Sequence, residues 1–234
     1  MRLGSNGSKV WRSLIVLARL GMLCSLQLLT GLHVTFPKAE DRISAEEFLE
    51  WASAQEERFE LVDGRIVRMM TGAKQSHNVA ATNVTAALLP QARRSGCRTT
   101  ASDTAVCTGL GGIRYPDVVV DCGPKEPDAL KASRPVLVVE VASPRTSTMD
   151  ATDKLDEYRA QGDIRLILLV DPDVVSVKLY RYDDDEGAWQ IEKYDALDQT
   201  IALPEISASL ALADIYATLD PVVRPALRVV PGKA

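Results

Sequence analysis

The sequence predicts an α/β fold in which hairpins are added at the edges of a buried core. Residues 135–141 and 164–170 form two continuous apolar runs, which are typical of strands that are buried on both faces. A helical pattern over residues 149–161 separates the two runs, and strand, helix and strand in this order indicate an α/β core. Alternating segments within residues 59–69 and 174–194 are typical of hairpins outside that core.

The first predicted helix begins just after Ser44. Ser44 and Glu47 have the spacing of a capping box, in which the hydroxyl and the carboxylate satisfy free amide groups at the helix start. Phe48 and Trp51 then share one face, and the helical pattern runs to about Ala54. The folded part of the chain is therefore predicted to begin near Ser44.

Glycines mark the limits of the next elements. Asp63-Gly64 lies between two alternating segments and predicts the turn of the first hairpin. A second helix is predicted over residues 76–94, with Gly96 at its end. The glycine-rich residues 109–112 are interpreted as a turn, because no Gly-Lys-Ser/Thr follows them as in a phosphate-binding loop. Short strands are predicted at residues 98–101, 105–108 and 115–121.

Turn residues also divide the second half of the chain. Gly162 closes the helix over residues 149–161, whose inner face carries Leu155 and Tyr158. Asp171-Pro172 ends the second apolar run. An acidic turn at residues 183–187 joins the two strands of the second hairpin, and a last short helix is predicted over residues 213–219.

Composition and charge limit the classes of function. The 234 residues carry a net charge of -5, which counts against a non-specific polyphosphate binder but leaves room for an enzyme with a local basic patch. The chain has four cysteines, no Cys-x-x-Cys pair and only two histidines, so a structural zinc site is poorly supplied. The cysteines are expected to be reduced, partly buried thiols in a cytoplasmic protein.

The first 37 residues differ in character from the rest. Arg2, Lys9 and Arg12 precede an apolar run over residues 14–34, as in a signal peptide, but Arg19 would be costly inside a bilayer. We favour an apolar extension that is not part of the folded structure, with a signal or anchor as the alternative. The predicted domains are this extension (1–37), the folded domain (38–222) and a loose tail (223–234), without stable membrane association.

Asp117 and Glu140 are the strongest candidates for a functional site. Asp117 begins one apolar strand and Glu140 ends another, and the spacing allows the two strands to be neighbours. Two adjacent carboxylates repel each other unless a cation lies between them, and oxygen ligands suit Mg²⁺ or Mn²⁺. The alternative is that Asp117 caps a turn and Glu140 pairs with an arginine.

The helix that follows Glu140 adds a lysine to this pair. Asp150, Lys154 and Tyr158 are four residues apart and lie on one helix face, which can lean over the end of the strand that carries Glu140. Lys154 could then orient a water molecule or stabilise charge on a phosphate oxygen. The alternative is a solvated Asp150–Lys154 pair of little energetic value.

These residues resemble a known family. Pro116-Asp117, then Glu140 and then a lysine look like the PD-(D/E)xK nuclease signature. More narrowly, the chain resembles the Uma-two family of bacterial restriction endonucleases over roughly residues 43–219. The segments that carry this resemblance are residues 59–67, 76–78, 115–120, 138–144, 150–158 and 169–172.

The resemblance implies a fold, a reaction and a set of ligands. It implies a restriction-endonuclease-like three-layer sandwich, with a central mixed β-sheet between helices, and a Mg²⁺-dependent endonuclease that hydrolyses DNA, with Mn²⁺ as a substitute. We expect Asp117, Glu140 and the carbonyl of Val141 to hold the metal. Ala142 stands where the signature has its lysine, so the resemblance assigns that role to Lys154.

Further positions complete the expected site. Glu60 matches the first acidic position of the family, as a metal ligand or as a cross-strand partner of its hairpin. His77 matches a position near a helix start, where it would cap the helix or contact phosphate. A local basic patch is expected from Arg93, Arg94, Arg98 and Arg114. A homodimer is left open, and the rival function is a non-catalytic nucleic-acid-binding or assembly protein with the same fold.

Overall fold

The computed structural model describes residues 42–69, 72–143 and 148–223, with the backbone alone for residues 148–151. The helices are α1 (Ala45–Ser53), α2 (Gln75–Arg94), α3 (Thr148–Arg159) and α4 (Leu212–Ile215). The strands are β1 (Phe59–Val62), β2 (Arg65–Arg68), β3 (Arg98–Ala101), β4 (Val106–Cys107), β5 (Ile113–Arg114), β6 (Val118–Asp121), β7 (Pro135–Val141), β8 (Leu166–Asp171), β9 (Ser176–Asp183), β10 (Ala188–Tyr194), β11 (Thr200–Leu203) and β12 (Ala208–Ala211). The predicted extension over residues 1–37, and the predicted tail except for residue 223, lie outside the described residues.

The central sheet has the strand order β10-β9-β8-β7-β6-β3. Strands β7 and β8, which correspond to the two apolar runs, are parallel, and the other neighbouring pairs are antiparallel. The sheet is therefore mixed. Helix α3 lies between β7 and β8 in the chain, as the crossover that a parallel pair requires.

Alternate residues of the central strands pack into two separate apolar layers. Val118 and Val120 of β6 share a core cluster with Val84 of α2. Val119, between them in the chain, belongs to the opposite cluster together with Tyr158 of α3. Because successive strand residues point to opposite faces, the sheet lies between α2 and α3. This arrangement confirms the predicted three-layer α/β fold with a mixed sheet.

A second, smaller sheet has the order β2-β1-β5-β4 and packs against α1. The predicted capping box is present, since the Glu47 amide donates to the Ser44 hydroxyl and the Ser44 amide donates to the Glu47 carboxylate. The predicted turn between β1 and β2 is also present, with Asp63 and Gly64 at φ values of 50° and 72°. This sheet carries Glu60 on β1 and Arg114 on β5.

Some boundaries differ from the prediction. The strand predicted over residues 115–121 begins at Val118, because Pro116 has no amide hydrogen to contribute to the ladder. A separate short strand, β5, precedes it. The hairpin of β11 and β12 was not predicted, and the last helix covers Leu212–Ile215 in place of the expected residues 213–219.

The expectation of reduced cysteines is wrong for one pair, because Cys97 and Cys122 form a disulfide. Arg98 of β3 and Asp121 of β6 are antiparallel partners, so Cys97 and Cys122, one residue beyond each, are opposite each other with a Cα–Cα distance of 4.2 Å. Cys107 is a free thiol. The pairing depends on strand register, which sequence spacing does not reveal.

Candidate active site

Strand register brings Asp117 and Glu140 together. Val118 of β6 pairs with Val139 of β7, so Asp117 and Glu140 are neighbours one residue further along the antiparallel pair. Oδ2 of Asp117 also accepts a hydrogen bond of 2.8 Å from the Val141 amide. The alternative in which Glu140 pairs with an arginine is not what the structure shows, since its described partners are a tyrosine and a lysine.

Helix α3 supplies those two partners from one face. The Tyr158 hydroxyl donates a hydrogen bond of 2.7 Å to Oε1 of Glu140. Nζ of Lys154 is 3.8 Å from the same oxygen and 3.2 Å from Oε1 of Glu60. The Lys154 side chain is only 16% exposed, which excludes the solvated helix pair as an account of this residue. The side chain of Asp150 lies outside what the structure describes.

Glu60 and Arg114 are buried side chains that continue the contacts of Lys154 into the protein interior. Glu60 is buried on β1, and its Oε2 accepts a hydrogen bond of 2.9 Å from Nη1 of Arg114. Arg114 is 2% exposed and forms a two-pronged pair with Glu157 of α3, at 2.8 Å and 2.6 Å. Glu60 is thus shared between Arg114 and Lys154.

His77 approaches the acidic pair from the first turn of α2. Its Nε2 is 3.3 Å from Oδ2 of Asp117. The hydrogen bond to Asp117 raises the pKa of His77, although burial acts in the opposite direction. His77 therefore contacts a site carboxylate, in addition to lying at a helix start as the sequence indicated.

The expected basic patch does not form around this site. Arg114 is buried, and Arg98 pairs with the buried Asp121 at 2.8 Å. Arg93 and Arg94 are exposed at the far end of α2, 93 − 77 = 16 residues after His77, which corresponds to about 24 Å along a helix. The prediction failed because sequence position alone does not show which arginines are buried beside carboxylates.

Burial dominates the electrostatics of Glu140. Burial, with the charges of Asp117 and Glu60, raises the pKa of Glu140 from its usual 4.5 to about 7, although Lys154 and Tyr158 lower it. Burial and then Glu140 raise the pKa of Tyr158, which keeps its hydroxyl protonated as a donor. The positive charge of Lys154 therefore does not fully compensate for the burial of ionised Glu140. A cation beside Glu140 would stabilise its ionised form.

The raised pKa of Glu140 predicts how the metal-free protein responds to pH. The folded state favours the protonated carboxyl, so this contribution to stability is complete below pH 4.5 and is lost as the pH rises through about 7. The neutral Glu140→Gln variant lacks this dependence. We expect its melting temperature in EDTA to rise relative to the native protein between pH 5 and pH 8.

Glu192 offers a matched control for that measurement. Burial alone would raise the pKa of Glu192, but hydrogen bonds from Arg181 and Tyr194 hold it below its usual range. Glu192→Gln should therefore differ from the native protein by the same amount at pH 5 and pH 8. A Glu140→Gln difference that is equally flat would contradict the raised pKa of Glu140.

The donor atoms of the site fit a hard divalent cation. Within the described ranges, no three His, Cys, Asp or Glu side chains are grouped at metal-binding distances, so a cation held here would take Asp117, Glu140 and a backbone carbonyl as its protein donors. The contacts with Val141, His77, Tyr158 and Lys154 use Oδ2 of Asp117 and Oε1 of Glu140. The Val141 carbonyl faces the same side of β7 as its amide, which contacts Asp117. Two carboxylates and a carbonyl are ligands that Mg²⁺ and Mn²⁺ prefer.

A mixed sheet between two helices, with an acidic pair at neighbouring strand ends, defines a protein of restriction-endonuclease-like fold. The model of the Uma-two (Uma2) family, described as "Putative restriction endonuclease", matches residues 45–214. The chain belongs to this family, as the resemblance in its motifs predicted.

Individual proteins are similar to the chain as well. An uncharacterized protein of Synechocystis sp., slr1290, is 33% identical over 183 residues, which are 77% of this chain and 93% of that protein. The crystal structure of "a putative nuclease belonging to DUF820" from Anabaena variabilis has a TM-score of 0.60 at 20% identity, and the match covers 75% of this chain and 98% of that one. The second likeness supports the fold alone.

Glu157 is a residue of this site that the sequence did not indicate. It adjoins Tyr158 and follows Lys154 by one helical turn, so its place on the inner face of α3 was visible. What could not be seen was its partner, because Arg114 is 157 − 114 = 43 residues away on a strand of the smaller sheet.

Proposed function

We propose that this protein is a divalent-metal-dependent endonuclease that hydrolyses phosphodiester bonds in DNA. The observation that carries the proposal is the convergence of Asp117, Glu140 and Lys154 from three separate elements. Membership of a family described as restriction endonucleases supports the same reaction. Because the lysine lies on α3 and not on β7, the site keeps the groups of the PD-(D/E)xK signature in the same order but with a longer spacing between the glutamate and the lysine.

Each residue has a task that follows from its contacts. Asp117, Glu140 and the Val141 carbonyl would hold Mg²⁺. The cation, when bound, supplies positive charge that stabilises phosphate oxygens and promotes ionisation of water. Lys154 is placed beside Glu140 to orient the attacking water or stabilise the growing negative charge. Tyr158 fixes the orientation of the Glu140 carboxylate, and His77 does the same for Asp117.

The substrate is tested by a direct screen. Supercoiled plasmid, single-stranded DNA and RNA would be incubated with the protein in Mg²⁺, in Mn²⁺ and in EDTA. We expect cleavage of plasmid DNA with either cation, none in EDTA and none with Asp117→Asn. A circular plasmid has no ends, so its cleavage distinguishes an endonuclease from an exonuclease.

Asp214→Asn is the matched control, since Asp214 is an exposed residue of α4 that shares no described hydrogen bond or ion pair with the site residues. This variant should cleave like the native protein. Binding of DNA without cleavage in any divalent cation would instead support the rival, a non-catalytic nucleic-acid-binding or assembly protein. Cleavage of RNA alone would contradict the proposed substrate.

Location and assembly remain proposals. No helix within the described ranges is both long and apolar enough to cross a bilayer. We propose a cytoplasmic location, which suits an enzyme that acts on DNA. The Cys97–Cys122 disulfide is the observation against it, because disulfides are more common in oxidising compartments. Fractionation of the native host and size-exclusion chromatography would test the location and a homodimer.

A further inference from the structure

We propose that Arg114 is a positioning residue of this site, which acts through Glu60 to hold Lys154 against Glu140. The inference rests on the proposed function for its kinetic part only. Arg114 touches neither Asp117 nor Glu140 in the described contacts. Its effect is transmitted through side chains whose distances the structure gives.

Five side chains form a row of alternating charge. The row runs from Glu157 to Arg114, Glu60, Lys154 and Glu140, with successive contacts of 2.6, 2.9, 3.2 and 3.8 Å. The contacts lengthen toward the acidic pair, so the end at Glu157 is the more tightly held. The row therefore has a fixed end in the interior and a looser end at the site.

Each carboxylate oxygen of Glu60 contacts a different residue. Oε2 accepts from Arg114, and Oε1 faces Lys154. Lys154 lies between the carboxylates of Glu60 and Glu140. Its position between them depends on how far the negative charge of each carboxylate is already neutralised by other groups. Arg114 neutralises part of the charge on Glu60, which leaves more of the Lys154 charge for Glu140. Without that contact, Glu60 would draw Lys154 away from Glu140.

A glycine-rich loop holds this row against α3. The Gly109 amide donates to the Glu157 carbonyl at 3.3 Å. A Cβ atom at Gly109 would lie 2.0 Å from the Ala160 carbonyl oxygen, and one at Gly112 would lie 2.7 Å from the Leu61 carbonyl oxygen. Only residues without a side chain permit this approach. The glycines thus let β5, and with it Arg114, reach the helix that carries Lys154.

The net charge of the site also depends on Arg114. Counting Glu157, Glu60, Glu140 and Asp117 as negative, Arg114 and Lys154 as positive, and His77 as neutral, these groups sum to 2 − 4 = −2. One divalent cation balances that charge. Loss of Arg114 would leave an uncompensated buried carboxylate, which is costly because the site is shielded from water.

A conservative variant separates positioning from simple packing. Arg114→Lys keeps the positive charge but cannot form the fork to Glu157 and the contact to Glu60 together. Arg181→Lys is the matched control, because Arg181 also bridges two glutamates, Glu192 and Glu205, which are outside the site. Both variants lose the simultaneous contact of one guanidinium with two glutamates, and only Arg114→Lys changes a residue of the row.

The first measurement does not depend on activity. It follows the NMR signal of the Lys154 Nζ in protein with ¹⁵N-labelled lysine, and this signal is assigned as the one that is missing in Lys154→Arg. A held ammonium group exchanges its protons slowly and gives a sharp signal. We expect this signal in the native protein and in Arg181→Lys, and its broadening or loss in Arg114→Lys. The kinetic readout is plasmid cleavage, for which Arg114→Lys should lower kcat about ten- to a hundredfold with KM and Mn²⁺ affinity unchanged.

Each outcome decides the question. A sharp Lys154 signal and native kcat in a folded but less stable Arg114→Lys protein would overturn the positioning role. If Arg114→Lys does not fold, Glu157→Gln, which loosens the fixed end while keeping side-chain volume, must show the same loss of the Lys154 signal. If the native protein cleaves no nucleic acid, the proposed function fails, and the lysine resonance still decides the role of Arg114.

Discussion

Replacing Glu140 by alanine is expected to remove measurable divalent-cation binding. Asp117 and Glu140 are neighbours across β6 and β7, and their carboxylates are the two side-chain oxygen donors on which the proposed cation site depends. Removing one leaves a single carboxylate and a carbonyl, which is too few protein ligands to compete with water for the cation. The loss should exceed the roughly 10- to 100-fold typical for removal of an outer partner.

Titration calorimetry with Mn²⁺ measures this effect directly. The native protein, Glu140→Ala and the exposed control Asp214→Asn would be compared at pH 8, where Glu140 is mainly ionised because its pKa is about 7. The control should bind like the native protein. Equal affinity in the native protein and in Glu140→Ala would show that the two carboxylates do not share a cation.

Local signals in the sequence were sufficient for most of the fold. The apolar run at residues 135–141 coincides with β7, and the capping box at Ser44 marks the start of α1. Asp63-Gly64 forms the predicted turn, because both positions need a positive φ that these residues tolerate. Each of these features depends on neighbours in the chain, so the sequence contains the necessary information.

Features that depend on distant partners were not predicted. The strands of the β11–β12 hairpin have only four residues each, and β12 consists of alanine, serine and leucine, which give little β signal until they pack on α2. The Cys97–Cys122 pair requires the register between β3 and β6. Arg114 was expected at the surface, since an arginine is usually exposed, and only the fold shows the two glutamates beside it.

The candidate site divides in the same way. Asp117 and Glu140 could be identified because each stands at the end of an apolar strand, and Lys154 because it follows on a helix with the right face. The side chains that contact these three residues were predicted only in part. Sequence spacing suggested Asp150 as the residue that holds Lys154, and this stays a prediction because the Asp150 side chain lies outside the described residues. The described contacts add Glu60 and Glu140, on strands of two different sheets.

Lys154→Ala is expected to lose most cleavage while keeping its fold and its cation affinity. The transition state of phosphodiester hydrolysis gathers negative charge on its oxygens, and a fixed cation beside them lowers the barrier. Lys154 is 16% exposed and is held near Glu140 by Glu60, so no solvent-exposed lysine can take its place. Removing one such electrostatic contact typically costs about a hundredfold or more in rate.

Three variants test this role together. Lys154→Arg should recover little activity, because a planar guanidinium does not fit the space of a compact ammonium between two carboxylates. Lys178→Ala, an exposed lysine on β9, is the control and should cleave at the native rate. Mn²⁺ calorimetry on Lys154→Ala separates a rate effect from loss of the metal. Near-native cleavage by Lys154→Ala would show that Lys154 is only a structural partner of Glu60. No residue would then be assigned to stabilise the negative charge of the transition state.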